Sequence, residues 1–186
     1  MPIHVALLRG VNVGGRNRLS MADLRAVVTS LGHTDVVTYI QSGNVVFSST
    51  ETNATALAAA LEQAIAQTLD VHPSVVVVSS KDLARIVAGN PYPDEKNPKC
   101  LHVVFSPGTR GPAERAAVAT ALERAREKGS PDEATIVGRT LYLRTPDGLG
   151  RSELAAQLGR ANGPLAAPSA TIRNWATVLK LLELSG

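Results

Sequence analysis

Cysteine is almost missing from this 186-residue chain, where Cys100 stands alone. That excludes an internal disulfide framework and any cysteine-built zinc site. Aromatic residues make up 3 %, so the core must be aliphatic. Between Met1 and Leu19 there are three arginines and no Asp or Glu. No apolar run approaches the roughly 18 residues that a membrane-spanning helix needs. Met1-Pro2-Ile3-His4 leads into a strand pattern with no basic segment or cleavage site. The expectation is a cytoplasmic protein without membrane association. Also missing are a Ser-centred elbow, a His-Glu zinc helix and a convincing carboxylate pair. His4, His33 and His72 match no ligand spacing. No metal or cofactor is therefore expected, and no residue is assigned a catalytic role.

What is present describes a folded α+β protein. Apolar residues make up 44 % and charged residues 19 %, with a formal charge of +3. This is enough to bury a core, and it permits an anionic partner without demanding one. The run Ile3 to Leu8 suits a buried strand. A Gly/Asn-rich loop from Gly10 to Leu19 follows, and Ser20 caps a helix with Leu24, Val27, Val28 and Leu31 on one face. Strands from Val36 to Ile40 and Asn44 to Ser48 are joined tightly at Ser42-Gly43. An alanine-rich helix from Asn53 to Leu69 and the strand around Val75 to Val78 complete βαββαβ.

A short helix from Lys81 to Ala88 precedes Pro91, Pro93 and Pro98. This stretch reads as a boundary, giving an N-terminal α/β plait at 1–89, a Pro-rich linker at 90–99 and a C-terminal α/β plait at 100–186. The second half reads as a strand from Leu101 to Phe105, a helix from Pro112 to Lys128 and a hairpin about Gly138-Arg139. A helix from Ser152 to Leu158 and an amphipathic helix from Ile172 to Leu184 follow. The fold predicted is thus a pair of ferredoxin-like α/β plaits, βαββαβ then βαββα, with a C-terminal amphipathic helix.

Several segments carry a family likeness. They are Ala6-Leu7-Leu8-Arg9-Gly10-Val11-Asn12-Val13-Gly14-Gly15, Tyr39-Ile40-Gln41-Ser42-Gly43-Asn44-Val45-Val46-Phe47 and Asn90-Pro91-Tyr92-Pro93. Pro146-Asp147-Gly148-Leu149-Gly150-Arg151-Ser152 and Arg173-Asn174-Trp175 complete the set. Together they resemble the bacterial family catalogued as domain of unknown function 1697. The resemblance implies two α/β-plait subdomains and no activity or catalytic residue.

In a ferredoxin-like unit the loop leaving the first strand and the hairpin joining the second and third lie on one edge. That fold would gather Arg9, Asn12, Arg16, Asn17 and Arg18 with Gln41, Ser42 and Asn44. The loop also ends at a helix N-terminus, where free N–H groups and the dipole favour an anion. Gly14 and Gly15 would let the backbone approach a phosphate, and arginine's fork suits its oxygens. Gly10 and Gly15 have phosphate-loop spacing, but Arg16-Asn17 replaces the Lys and Ser/Thr that NTP hydrolysis needs. A purely structural loop, with asparagines bonding locally, is the competing account.

Weaker candidates lie downstream. Asp147 to Ser152 opens a helix, so Arg151 is a candidate anion ligand, although Asp-Gly also makes a turn and Ser152 an N-cap. Trp175, Val178, Leu179 and Leu182 form an apolar stripe, and Arg173 and Asn174 before it are candidates to face a cleft between the halves. Cys100 and His102 alternate on one strand, formally a nucleophile–base or metal pair, but no third partner is visible.

The sequence thus points first to a binding module for a phosphorylated small molecule or nucleotide. A nucleic-acid binder is the alternative, although the first strand has no aromatic to stack a base and the third only Phe47. An enzyme with arginine clamps would lack an identifiable acid, base or nucleophile. A structural or oligomeric role for the loop completes the set.

Overall fold

The computed structural model describes residues 1–14, 17–160 and 163–186. It is a mixed α+β protein in which the described residues form two four-stranded antiparallel sheets and six α-helices. The chain divides into two units, one of Met1–Arg85 with Lys180–Gly186 and the other of Ile86–Leu179.

In the first unit the order is β1 (Ile3–Arg9), α1 (Met21–Ser30), β2 (Thr34–Tyr39), β3 (Asn44–Ser48), α2 (Ala54–Leu69) and β4 (Ser74–Ser79), followed by α3 (Ser80–Ala88). The sheet order is β2-β3-β1-β4. β1 is the inner strand, antiparallel to β3 with Leu7 opposite Asn44 and to β4 with Leu7 opposite Val76. Alternation along β1 sends Ala6 and Leu8 to the helix-covered face. There they join Leu24, Val27 and Val28 of α1 and Leu57, Leu61 and Ile65 of α2 in one buried cluster. The i, i+4, i+8 spacing in α2 is the helical stripe that this contact requires. Each such side chain contributes about 1.5–3 kcal/mol on full burial. Ser20 caps α1 and Asn53 caps α2 through side-chain oxygens that accept backbone N–H groups.

The second unit runs β5 (Leu101–Phe105), α4 (Pro112–Glu127), β6 (Glu133–Val137), β7 (Thr140–Arg144), a 3-10 turn (Leu149–Arg151), α5 (Glu153–Leu158) and β8 (Thr171–Asn174). Its sheet order is β6-β7-β5-β8. The predicted βαββα is thus corrected to βαββαβ. What read as the first turn of the last helix is a four-residue strand with His102 opposite Asn174 and Phe105 opposite Thr171. The helix itself, α6, is Trp175–Leu184. Thr171 and Ile172 are β-branched and fit a pleat, but a strand this short shows little alternation in sequence.

The proline-bearing segment 90–99 is fastened within the second unit. Tyr92 Oη and Thr135 Oγ1 are 2.8 Å apart, and Arg144 Nε donates to Glu95 at 2.9 Å. At the other end of the chain the Ser80 hydroxyl donates to the Ser185 carbonyl at 2.8 Å, within the first unit.

One glycine is fixed twice over. Gly43 has φ +75°, and a Cβ there would stand 2.7 Å from Val11 Cγ2 and 2.8 Å from Leu8 Cβ. Gly138, in the corresponding hairpin of the second unit, has φ +59° with open space around it. Gly138→Ala should therefore cost about 1–2 kcal/mol, the left-handed penalty alone. Gly43→Ala should cost a further 1–3 kcal/mol or so through overpacking. Urea denaturation of both variants measures the difference.

Candidate functional site

β1 and β2 both run antiparallel to β3, so they are parallel to each other with β3 between. The loop leaving β1 and the β2–β3 hairpin therefore meet at one end of the sheet. Leu8 N–H donates to the Gly43 carbonyl at 2.8 Å, and Asn12 Nδ2 donates to the Gln41 carbonyl at 2.8 Å. Asn12 is the clasp of this end. Its Nδ2 also donates to the Leu19 carbonyl at 2.8 Å, and its Oδ1 accepts the Leu19 N–H at 2.9 Å. Its own backbone N–H donates to Asn17 O at 3.0 Å, and Asn17 Nδ2 donates to Gly10 O at 2.9 Å. Asn12 and Asn17 sit at φ 55° and 48°, the left-handed region that asparagine tolerates better than most residues. In the hairpin Asn44 is fully buried, and its Nδ2 donates to the Tyr39 carbonyl and to Ser42 Oγ, both at 3.0 Å.

Asn12, Arg18, Leu19, Ser20 and Gln41 line an open depression of about 400 Å³. The Arg18 guanidinium and the Gln41 side-chain amide make no hydrogen bond or ion pair among the described residues. Both therefore remain as donors, whereas Asn12, Asn17 and Asn44 hold the loop and hairpin together. Arg9, at the end of β1, lies in register with Ser74. Gly14 has φ 57° on the exposed part of the loop. Gly15 and Arg16 lie outside the described residues. An acid also reaches this end. Ser20 Oγ accepts the Asp23 N–H at 3.0 Å and donates to Asp23 Oδ2 at 2.6 Å. The first turn of α1 thus carries its own carboxylate, which complements part of the helix dipole. The cap pattern Ser-x-x-Asp signalled that contact in the sequence, whereas Ser20 was not singled out as a residue lining the depression.

The other predicted ligands belong to the second unit. Arg151 is exposed on the 3-10 turn. The N-terminus of α5 beside it already holds a carboxylate from the chain itself. Buried Asp132 accepts the hydroxyls of Ser130 at 2.7 Å and Ser152 at 2.8 Å, and the N–H of Leu154 at 3.2 Å. Arg173, on β8 opposite Val103, is buried and donates to Thr171 Oγ1 at 2.7 Å and to the Ile172 carbonyl at 2.9 Å. Burial lowers its guanidinium pKa to about 10. Asn174 caps α6, with Oδ1 accepting the Thr177 N–H at 2.9 Å. Cys100 and His102 are both buried, and the Cys100 thiol donates to the Pro146 carbonyl at 3.4 Å.

The corresponding end of the second unit is closed by a residue that the sequence did not single out. Arg110 lies between β5 and α4 with its side chain fully buried. It donates to the Arg139 carbonyl of the β6–β7 hairpin at 3.0 Å, to Val104 O at 2.9 Å and to the Glu114 carboxylate. Burial draws its guanidinium down, and Glu114 opposes that shift. The i, i+4 pairing with Glu114 at the start of α4 was the available signal.

Fold and site define a chain of two βαββαβ units whose first unit carries an open, arginine-rimmed loop end. The chain belongs to the family described as Protein of unknown function (DUF1697), whose model matches residues 1–142. It is also similar to a solved structure, that of the conserved bacterial protein SP0830 from Streptococcus pneumoniae. That likeness covers 100 % of this chain and 99 % of the other, with a TM-score of 0.76 and 23 % sequence identity. It speaks for the fold alone. No curated protein matches the chain.

Asn12→Ala removes three side-chain hydrogen bonds at once, each worth about 1 kcal/mol net. The expected loss is about 2–3 kcal/mol in urea denaturation. Asn12→Asp keeps the acceptor for Leu19 N–H but sets a carboxylate oxygen against the Leu19 and Gln41 carbonyls, and should lose at least as much.

Proposed function

We propose that this protein binds a small phosphate-bearing ligand, a phosphorylated metabolite or nucleotide, in the depression between the loop after β1 and the β2–β3 hairpin. We also infer that each unit is a ferredoxin-like plait. The strand orders support this, with the first and third strands central and the second and fourth at the edges. The observation that carries the functional reading is Arg18. It is an exposed cation at the rim of an open depression, with the Gln41 amide as a second donor and no ion-pair partner among the described residues. Arginine's fork matches phosphate oxygens, and the neutral amides around it exclude no anion. Asp23 sets a limit, since its carboxylate disfavours a highly charged ligand pressed onto the first turn of α1.

Nucleic acid fits less well. The first unit holds seven Lys/Arg and seven Asp/Glu, so it is neutral overall, and the formal +3 of the chain belongs to the second unit. Plait proteins that read RNA stack bases on exposed sheet aromatics. Here Phe47, Phe105 and Tyr142 are all buried, and Tyr39 at the end of the edge strand β2 is the one sheet aromatic among the described residues that is partly exposed.

A thermal-shift panel of nucleotides, sugar phosphates, polyphosphate and short oligonucleotides tests the reading. A ligand at 100 times its Kd adds about 2.7 kcal/mol, which moves Tm by several degrees. One compound should stabilise the protein, and Arg18→Ala should abolish the shift while Arg151→Ala keeps it. A shift that survives Arg18→Ala, or silence across the panel, contradicts the reading.

A further inference from the structure

The first unit contains three histidines that its candidate site does not use, and two of them, His4 and His33, meet on one aromatic ring. His4 stands near the start of β1, the inner strand, and is 2 % exposed. Both of its ring nitrogens are buried, and neither has a hydrogen-bond partner among the described residues. Its ring lies against Phe47, the cross-strand neighbour, with centroids 5.8 Å apart. His33, just before β2, packs on the same Phe47 ring at 4.8 Å. Phe47 belongs to the buried cluster of this unit. Two imidazoles therefore sit on one core aromatic, with the Glu51 backbone beside His4.

We propose that His4 and His33, gathered on Phe47, form an acid-sensitive latch in the first unit, closed while both rings are neutral and opened by their protonation. A charged His4 would be a buried cation without a counter-ion at hydrogen-bond distance, on the strand from which the whole sheet is hung. The groups around the pair do not supply that counter-ion. Glu51, from the segment leading into α2, favours a charged His4 first through its backbone and then through its charge, but its carboxylate already accepts the Asn53 N–H at 2.7 Å. On the β4 side Ser79 lies in register with His4, and its hydroxyl is given to Asp82 at 2.8 Å. Beside His33, Asp35 accepts the Thr34 hydroxyl at 3.1 Å.

The direction of each shift agrees with the geometry. Burial holds His4 below the ordinary imidazole range against the opposing pull of Glu51. Burial and then the neighbouring His4 lower His33. Both folded-state values are depressed, so the unfolded chain takes up its protons first as pH falls. Stability is then complete above the ordinary imidazole pKa of about 6.5 and declines below it. In that range each histidine can raise the unfolding equilibrium constant by up to about tenfold per pH unit.

The test follows the histidine ring protons of the full chain by NMR from pH 8 to pH 5, with free histidine in the same buffer. Backbone hydrogen exchange is recorded in parallel. The expected result is that His4 and His33 keep neutral-form shifts where free histidine titrates, and that β1 and β3 amides then lose protection together. His102 is also buried, with its pKa lowered by burial. It lies in the second unit, so exchange resolved by unit separates its contribution. His4→Leu and His33→Gln should each flatten the pH dependence of the denaturation midpoint between pH 7.5 and 5.5. Titration of His4 alongside free histidine would overturn the proposal. So would a pH dependence that both variants leave unchanged.

Discussion

The structure of the first unit hangs on the register of β1 against β3. β1 is hydrogen-bonded on both sides, and pairing Leu7 with Asn44 determines which of its side chains enter the helix-covered core. A one-residue slip would send Ala6 and Leu8 to the opposite face. The same register brings Leu8 N–H to the Gly43 carbonyl and so delivers the loop after β1 to the hairpin. Asn12 can reach Gln41 only because that contact exists. Core packing and candidate site are thus consequences of one alignment.

The two units solve the same end in different ways. In the first, a neutral amide, Asn12, ties loop to hairpin and leaves an open depression with Arg18 at its rim. In the second, the Arg110 guanidinium reaches the hairpin carbonyl itself and is compensated by Glu114. A buried charge needs such compensation, since desolvation otherwise outweighs what its hydrogen bonds return. An amide has no such need. Its bonds are each worth about 1 kcal/mol, and it leaves Arg18 without an ion-pair partner among the described residues. The difference between a clasp that fills its space and one that does not is the physical reason to seek the ligand in the first unit.

Much of this plan was legible in the residues. The Ser20 cap, the apolar stripe of α1 and the turn at Ser42-Gly43 each announce an element, because local chemistry determines them. The meeting of loop and hairpin also followed once the plait order was assumed. What the residues did not show is where a polar group spends its hydrogen bonds. Asn12, Asn17 and Asn44 read as ligand donors but bond to backbone across gaps of up to 29 residues. Asp132 was overlooked because the N-cap of the helix it serves, Ser152, lies 20 residues further on. β8 was absorbed into the following helix because four residues carry too little periodicity to resist a strong amphipathic neighbour.

The phosphate site we propose lies at the junction of the β1 loop and the β2–β3 hairpin. The most direct measurement is an amide NMR titration of the intact chain with inorganic phosphate at constant ionic strength. The account predicts saturable shifts confined to the amides of Gly10–Ser20 and Ile40–Gly43, and their loss in Arg18→Ala. Shifts centred on the second unit, or none at all, would contradict it.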